Sequence, residues 1–149
     1  MATVMQILRT KQDNNVYSVP PNTSAFDAAQ LMKEKHIGGL LVMEKGRIVG
    51  IVTERDLMQT CSECTSTCEK VMSLPVSEIM SRNLIIGLPD DTIDHAMGVM
   101  SQNSIRHLPI MSDRKIEGMI SLRDLVDARL EETTYEVRYL KDYISGSLT

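Results

Sequence analysis

The chain has 149 residues, of which 42% are hydrophobic and 24% charged, and its formal net charge is −4 at pH 7. That balance argues against a nucleic-acid binder, which normally shows a basic face, and no run of about 18 apolar residues offers a membrane span. The opening Met1-Ala2-Thr3-Val4-Met5-Gln6 lacks a basic stretch followed by a long apolar one, so no secretory signal is visible and a cytoplasmic protein is expected. Trp is absent, aromatics are 3% and Met numbers 11, so the core must be aliphatic and Met-rich.

Taken in chain order, Val4, Ile7 and Leu8 fit one face of a short helix, and Val76, Ile79 and Met80 repeat that pattern before the second half. Val16 to Val19 and Leu84 to Leu88 read as short strands that end at prolines. Ser24 and Thr92 are good N-caps for a helix in each half. Ala25, Ala28, Ala29 and Met32, and then Ile93, Ala96, Met97 and Met100, recur at helical spacing. The apolar runs 39–43 and 107–111 predict buried strands. Polar turns at 44–47 and 112–115 lead into second strands over 48–52 and 116–120, antiparallel to the first because the links are so short. Pro109 inside such a run predicts an edge position or a bulge. Thr53 and Ser121 open the second helix of each half. The last helix continues through Leu125, Val126, Leu130, Val137, Leu140 and Ile144, beside Tyr135, Tyr139 and Tyr143, and has no counterpart in the first half. It is expected to cover apolar surface on its own module or on a partner chain.

The two halves are one pattern written twice. Gly50-Ile51-Val52-Thr53-Glu54-Arg55-Asp56 returns 68 residues later as Gly118-Met119-Ile120-Ser121-Leu122-Arg123-Asp124. The same offset relates Pro21 to Pro89, Ala28 to Ala96, Ile37 to Ile105, Leu40 to Leu108 and Leu57 to Leu125. A tandem repeat fixes the architecture before any element is assigned. The expected division is 1–70 for the first repeat with its connector and 71–149 for the second with its helical tail. Each half reads β-α-β-β-α, an α+β fold. Neither half holds enough core alone, so the two are expected to pack about a pseudo-twofold axis.

The doubled Gly-hydrophobic-X-Thr/Ser-X-X-Asp pattern resembles the CBS domain. So do Ile105-Arg106-His107-Leu108-Pro109-Ile110 and Val76-Ser77-Glu78-Ile79-Met80, and the resemblance runs from about Val4 to Ala128. The whole looks like a stand-alone CBS pair, or Bateman module. The resemblance implies a regulatory module that senses AMP, ADP, ATP or S-adenosylmethionine, and occasionally NAD-type ligands, in clefts between the repeats. It also implies homodimers of modules in a flat disc and regulation of an attached or separate enzyme. No required cofactor and no catalysis are expected: no nucleophile–base pair or Walker-type loop is present, and Asp56 and Asp124 are repeat mates rather than an acid–base pair.

The spacing of Thr53 to Asp56 and Ser121 to Asp124 leaves two readings open. One is a capping box, in which the hydroxyl caps the helix and the acid reaches back to a free N–H. The other adds a ligand, because a carboxylate can accept two hydrogen bonds side by side from the 2′- and 3′-hydroxyls of ribose, while a helix N-terminus favours a phosphate. The resemblance implies ribose binding. Arg106 and His107 stand where the family places phosphate contacts, whereas the first copy has Gly38 and Gly39 there, so unequal sites are expected. Arg55 and Arg123 are first-turn cations that could serve or simply be solvated, and His36 is a further candidate in the first copy. The resemblance implies base contacts from Thr10 and Ser81, and Ile37, Ile51, Met80, Ile105 and Met119 are candidate aliphatic walls.

Cys61, Cys64 and Cys68 would share one face if a single helix held them. A closed zinc or iron–sulfur site wants four protein ligands, and only three thiols exist, so no metal site is assigned. A redox- or metal-responsive adaptor built on these cysteines, with empty nucleotide clefts, is the alternative function.

Overall fold

The structure is a computed structural model that describes residues 2–11, 15–63 and 67–146. Its elements follow the doubled pattern. Helix α1 spans Val4–Thr10, strand β1 Ser18–Val19, helix α2 Ala25–Lys35, strand β2 Gly39–Glu44 and strand β3 Arg47–Thr53. Helix α3 (Glu54–Glu63), helix α4 (Cys68–Ser73) and a 3-10 turn at Val76–Glu78 come next. The second copy supplies helix α5 (Ile93–Gln102), strands β4 (His107–Ser112) and β5 (Lys115–Ser121), and helix α6 (Leu122–Ile144). Helix and strand mix as the α+β reading requires.

Contacts divide the chain into two compact units, which are not the same segments as the two sequence repeats. One unit is Asn15–Ile85, and the other joins the described part of Met1–Asn14 to Ile86–Thr149. The short segment ahead of each repeat therefore belongs to the unit of the other repeat. The hydrogen bonds are equivalent in the two units. Val4 N–H donates to the Asp91 carbonyl at 2.9 Å and Met5 N–H to that of Pro89 at 3.0 Å. Val76 N–H donates to Thr23 at 2.8 Å and Ser77 N–H to Pro21 at 3.1 Å. These are first-turn N–H groups, which have no acceptor within their own helix, so the lead-in segments are held by donors a helix leaves over.

In the Asn15–Ile85 unit the sheet order is β1-β2-β3, with β1 parallel and β3 antiparallel to β2. Val19, Ala25, Ala28, Met32, Leu40, Val42, Val52, Leu57, Val76 and Ile79 form its core. In the other unit β4 and β5 pair antiparallel, and Val4, Leu8, Ile93, Ala96, Met100, Leu108, Ile110, Ile120 and Leu125 are buried. The caps fall where expected: the side-chain hydroxyl of Ser24 accepts from Asp27 N–H and that of Thr92 from His95 N–H. Each such cap stabilises its helix by about 1 kcal/mol.

The predicted strand over 84–88 is reduced to a single bridge, Gly87 to Ile110. Pro109 explains the loss. In the first copy Leu41 N–H donates to the Tyr17 carbonyl at 3.2 Å, and β1 pairs with β2 over two residues. Pro109 occupies the matching position and has no N–H to give. Its carbonyl still accepts from Gly87 N–H at 2.8 Å. A register shift falls between Ile110 and Met111, as it does between Val42 and Met43 in the first copy, so it does not depend on the proline. The 16–19 strand is likewise shorter than expected, with only Ser18 and Val19 in the ladder.

The leading glycine of the repeated motif has a steric cause. A Cβ on Gly50 would stand 2.5 Å from Met80 Sδ and 2.9 Å from the Ser81 carbonyl oxygen. On Gly118 the three nearest atoms all belong to the Leu8 side chain, with Cδ2 at 2.8 Å. In each unit the lead-in segment crosses the strand at this residue. A rotatable leucine can yield where a hydrogen-bonded backbone carbonyl cannot. Gly50→Ala should therefore cost about 1–3 kcal/mol, as overpacking does, and Gly118→Ala clearly less. Urea denaturation of the two variants checks this, and equal losses would contradict it.

Candidate functional site

Both copies place the motif hydroxyl and carboxylate where a strand becomes a helix. In the first, Asp56 Oδ2 accepts from Thr53 N–H at 2.9 Å and from the Thr53 hydroxyl at 3.1 Å, and Asp56 N–H donates back to Thr53 Oγ1 at 3.2 Å. In the second, Asp124 Oδ2 accepts from Ser121 N–H at 2.9 Å and Asp124 N–H donates to Ser121 Oγ at 3.1 Å, a complete capping box. The capping reading thus holds in both. It also fixes each carboxylate at the N-terminus of a helix at least ten residues long. Asp56 and Asp124 are only partly buried. A carboxylate offers about four acceptor sites, so capping leaves capacity for further donors.

The neighbours of each carboxylate come from both sequence repeats. In the Asn15–Ile85 unit, Ser81 and Ile51 exchange backbone bonds of 2.9 and 3.0 Å, two residues ahead of Thr53. Gly38 accepts from Glu54 N–H at 3.0 Å, which brings the end of the preceding loop to the same helix start. Ile37, half-buried, precedes it. Ile37, Ser81, Thr53 and Asp56 are thereby brought around one strand end, with Ile51 and with Met80 against Gly50.

In the other unit Arg106 accepts from Leu122 N–H at 2.8 Å, the counterpart of Gly38. The Arg106 side chain is exposed, and Ile105 and His107 on either side are half-buried. His107 is the ladder partner of Ser121. Met119 is half-buried two residues before Ser121. The Thr10 hydroxyl donates to the Ile7 carbonyl at 2.9 Å and closes the end of α1. Arg123 is placed differently: its side chain is 89% exposed and lies 4.0 Å from Asp127, on the solvated side of the first turn of α6. His36 caps α2 in a left-handed conformation, with φ of 54°, and is exposed.

Sequence reasoning missed Lys11. Its ammonium lies 2.9 Å from Asp124 Oδ2 and donates to the Met119 carbonyl at 2.9 Å, with both side chains about three-quarters covered. It directly succeeds Thr10 on the same lead-in segment. The signal available was a cation in a link of unequal length: the lead-ins Val4 and Val76 match at an offset of 72 rather than 68. The second-copy carboxylate thus has a built-in counter-ion, with Arg106 on the adjoining loop, while Gly38 and Gly39 stand in the first copy.

Cys61 lies in α3 and Cys68 begins α4, so no single helix carries both. Cys64 falls outside the described residues. No group of three metal-ligating side chains occurs among the described residues. A shallow groove of about 530 Å³, lined by Ser24, Phe26, Cys68, Glu69, Met72 and Ser73, contains neither motif carboxylate. No described helix is long and apolar enough to cross a membrane.

These observations define a class: tandem α+β repeats, each with a capped carboxylate at a strand-to-helix junction completed by a segment from the other repeat. The model of the CBS domain matches residues 4–63 and 76–131. The chain belongs to the CBS-domain family. A 17.7 kDa protein of Acidianus ambivalens is 36% identical over 99% of this chain and 85% of its own length. The CBS domain-containing protein YhcV of Bacillus subtilis is 33% identical over 81% of this chain and 84% of its own. Among solved structures, the CBS domain pair of protein MJ0100, in complex with 5′-methylthioadenosine and S-adenosylmethionine, superposes with a TM-score of 0.73 at 25% identity, covering 90% of this chain and 98% of that one.

The Lys11–Asp124 pair is testable without any ligand. Lys11→Met and Asp124→Asn each remove the pair, and a double-mutant cycle isolates it. A coupling of about 1 kcal/mol is expected, at the upper end for pairs in contact with solvent. Urea denaturation measures it, and additive losses would mean the pair contributes nothing to stability.

Proposed function

We propose that the protein is a non-catalytic regulatory module that binds adenosine-containing ligands at the capped carboxylates of its two units. The observation that carries this reading is the paired carboxylate geometry. In both units an Asp held at a helix N-terminus stands beside a crossing lead-in segment and aliphatic side chains. The diol of a ribose supplies two adjacent donors for such a carboxylate. The helix N-terminus and Arg106 suit a phosphate or another anionic group. Ile37, Ile51 and Met80 in one unit, and Ile105 and Met119 in the other, would flank the base, with Ser81 and Thr10 at the lead-ins. The methylthioadenosine and S-adenosylmethionine bound by the MJ0100 pair support the ligand class. The signal would pass to a separate partner enzyme, and its strength cannot exceed the ligand's preference for one conformation over another.

Titration calorimetry of ligand-stripped protein with AMP, ADP, ATP, S-adenosylmethionine and NADH tests the reading. Saturable binding at micromolar concentration is expected for at least one of them, and silence across the panel would overturn it. The second-copy site, with Lys11 and Arg106, is the better furnished for an anionic ligand. Asp124→Ala should weaken binding about ten-fold or more, the loss expected when a charged hydrogen-bonding group is removed, and more than Asp56→Ala does. Equal losses would remove the claimed inequality.

Arg106→Ala should lower affinity for a phosphate-bearing ligand far more than for adenosine. Competition titrations distinguish this from a uniform loss, which would make Arg106 a wall of the pocket rather than a phosphate contact.

A further inference from the structure

Helix α6 runs for 23 residues, Leu122–Ile144, yet Leu125 is the one residue buried in it among the described residues. It contacts α1, α5 and β5, and in its first part Arg129 pairs with Asp94 and Glu132 accepts from Ala2 N–H. Beyond that, the helix carries its own pattern. Val126, Leu130, Thr133, Val137, Leu140 and Ile144 succeed one another at alternating spacings of four and three, the seam of a heptad repeat. Val126 is 37% exposed, Leu130 59%, Val137 45%, Leu140 56% and Ile144 83%. At 100° per residue the seam lies about a quarter-turn from Leu125, so the packed face and the seam are different faces of the helix. The family match ends at residue 131, so most of this seam lies outside it.

We infer that this seam is an interface with a second copy of the chain, formed as a parallel two-stranded coiled coil over Val126–Ile144. Three features support that occupant. Leu130, Val137 and Ile144 take the first core position of the heptad, and Val126, Thr133 and Leu140 the second. β-branched residues at the first and Leu at the second favour parallel dimers, a preference met here by Val137, Ile144 and Leu140. The flanking charges fit the same arrangement. In a parallel pair Glu136 faces the partner's Lys141, and symmetry gives that contact twice. An antiparallel pair would keep an Asp127–Lys141 contact but set Glu136 against its own copy. Finally, a helix tail of this length is marginal in water without packing, and a matching tail supplies the apolar cover that its own unit does not.

Light scattering on the full chain at tens of micromolar should give the mass of a dimer. Leu140→Glu places two like charges in the seam and should raise the dissociation concentration at least ten-fold. Tyr139→Glu, one residue off the seam, should leave it within a factor of about two. Circular dichroism confirms that both variants stay folded. Orientation is read separately with Leu140→Cys in a background in which Cys61, Cys64 and Cys68 are serine. A parallel seam brings the two introduced thiols together, so oxidised protein should run as a disulfide-linked dimer. A monomeric native chain, an unchanged mass for Leu140→Glu, or no cross-link from Leu140→Cys would each overturn the inference.

Discussion

The structure depends on a few backbone donors at the start of each repeat. First-turn N–H groups have no acceptor inside their own helix, and burying them unpaired would cost about 1–3 kcal/mol each. Here they bond to carbonyls just ahead of α2 or α5, in the unit of the other repeat: Val4 and Met5 to Asp91 and Pro89, and Val76 and Ser77 to Thr23 and Pro21. Each compact unit is completed by a segment that chain order assigns elsewhere. The crossing also carries the lead-in past the motif glycine and delivers Ser81 in one unit, and Lys11 in the other, to the strand end where the carboxylate is fixed. Fold and candidate site share this cause.

Much of the local structure was legible because its signals are local. Thr53 to Asp56 and Ser121 to Asp124 read as capping boxes from spacing alone, and both form. The alanine and methionine stripes placed α2 and α5, and the short polar turns at 44–47 and 112–115 placed the β2–β3 and β4–β5 hairpins. What failed to read was non-local. Nothing in the pattern of Val4, Ile7 and Leu8 says which copy of the repeat that helix joins, since both copies offer the same apolar surface. The 84–88 strand failed for a related reason: its apolar residues look like those of 16–19, but its pairing depended on an N–H that Pro109, some twenty residues away, cannot supply.

The candidate site shows the same division. Asp56 and Asp124 were found by repetition, and their neighbours Ile37, Ser81 and Met119 are placed once the strands are. Arg123 was weighted because it belongs to the repeated motif, yet its position on the first turn directs it to solvent beside Asp127. Lys11 was overlooked because the matching position of the other lead-in, Asn83, carries no charge. A residue's membership of the motif reports what the frame needs; its contact with the carboxylate depends on where the lead-in crosses, which is a tertiary fact.

A tandem repeat with one frame can diverge only where the frame imposes nothing. The capping hydroxyl, the carboxylate and the crossing glycine are fixed in both copies by helix ends and close approach. Gly38 and Arg106 supply the same thing to the frame, a carbonyl for the N–H of Glu54 or Leu122, and a carbonyl constrains no side chain. That is why one copy can hold glycine there and the other arginine at no cost to the fold. Lys11 is free in the same sense, since its ammonium meets a carboxylate already held by its own cap. The positions that distinguish the two carboxylates electrostatically, Lys11 and Arg106, are therefore ones whose side chains the shared backbone bonds do not fix.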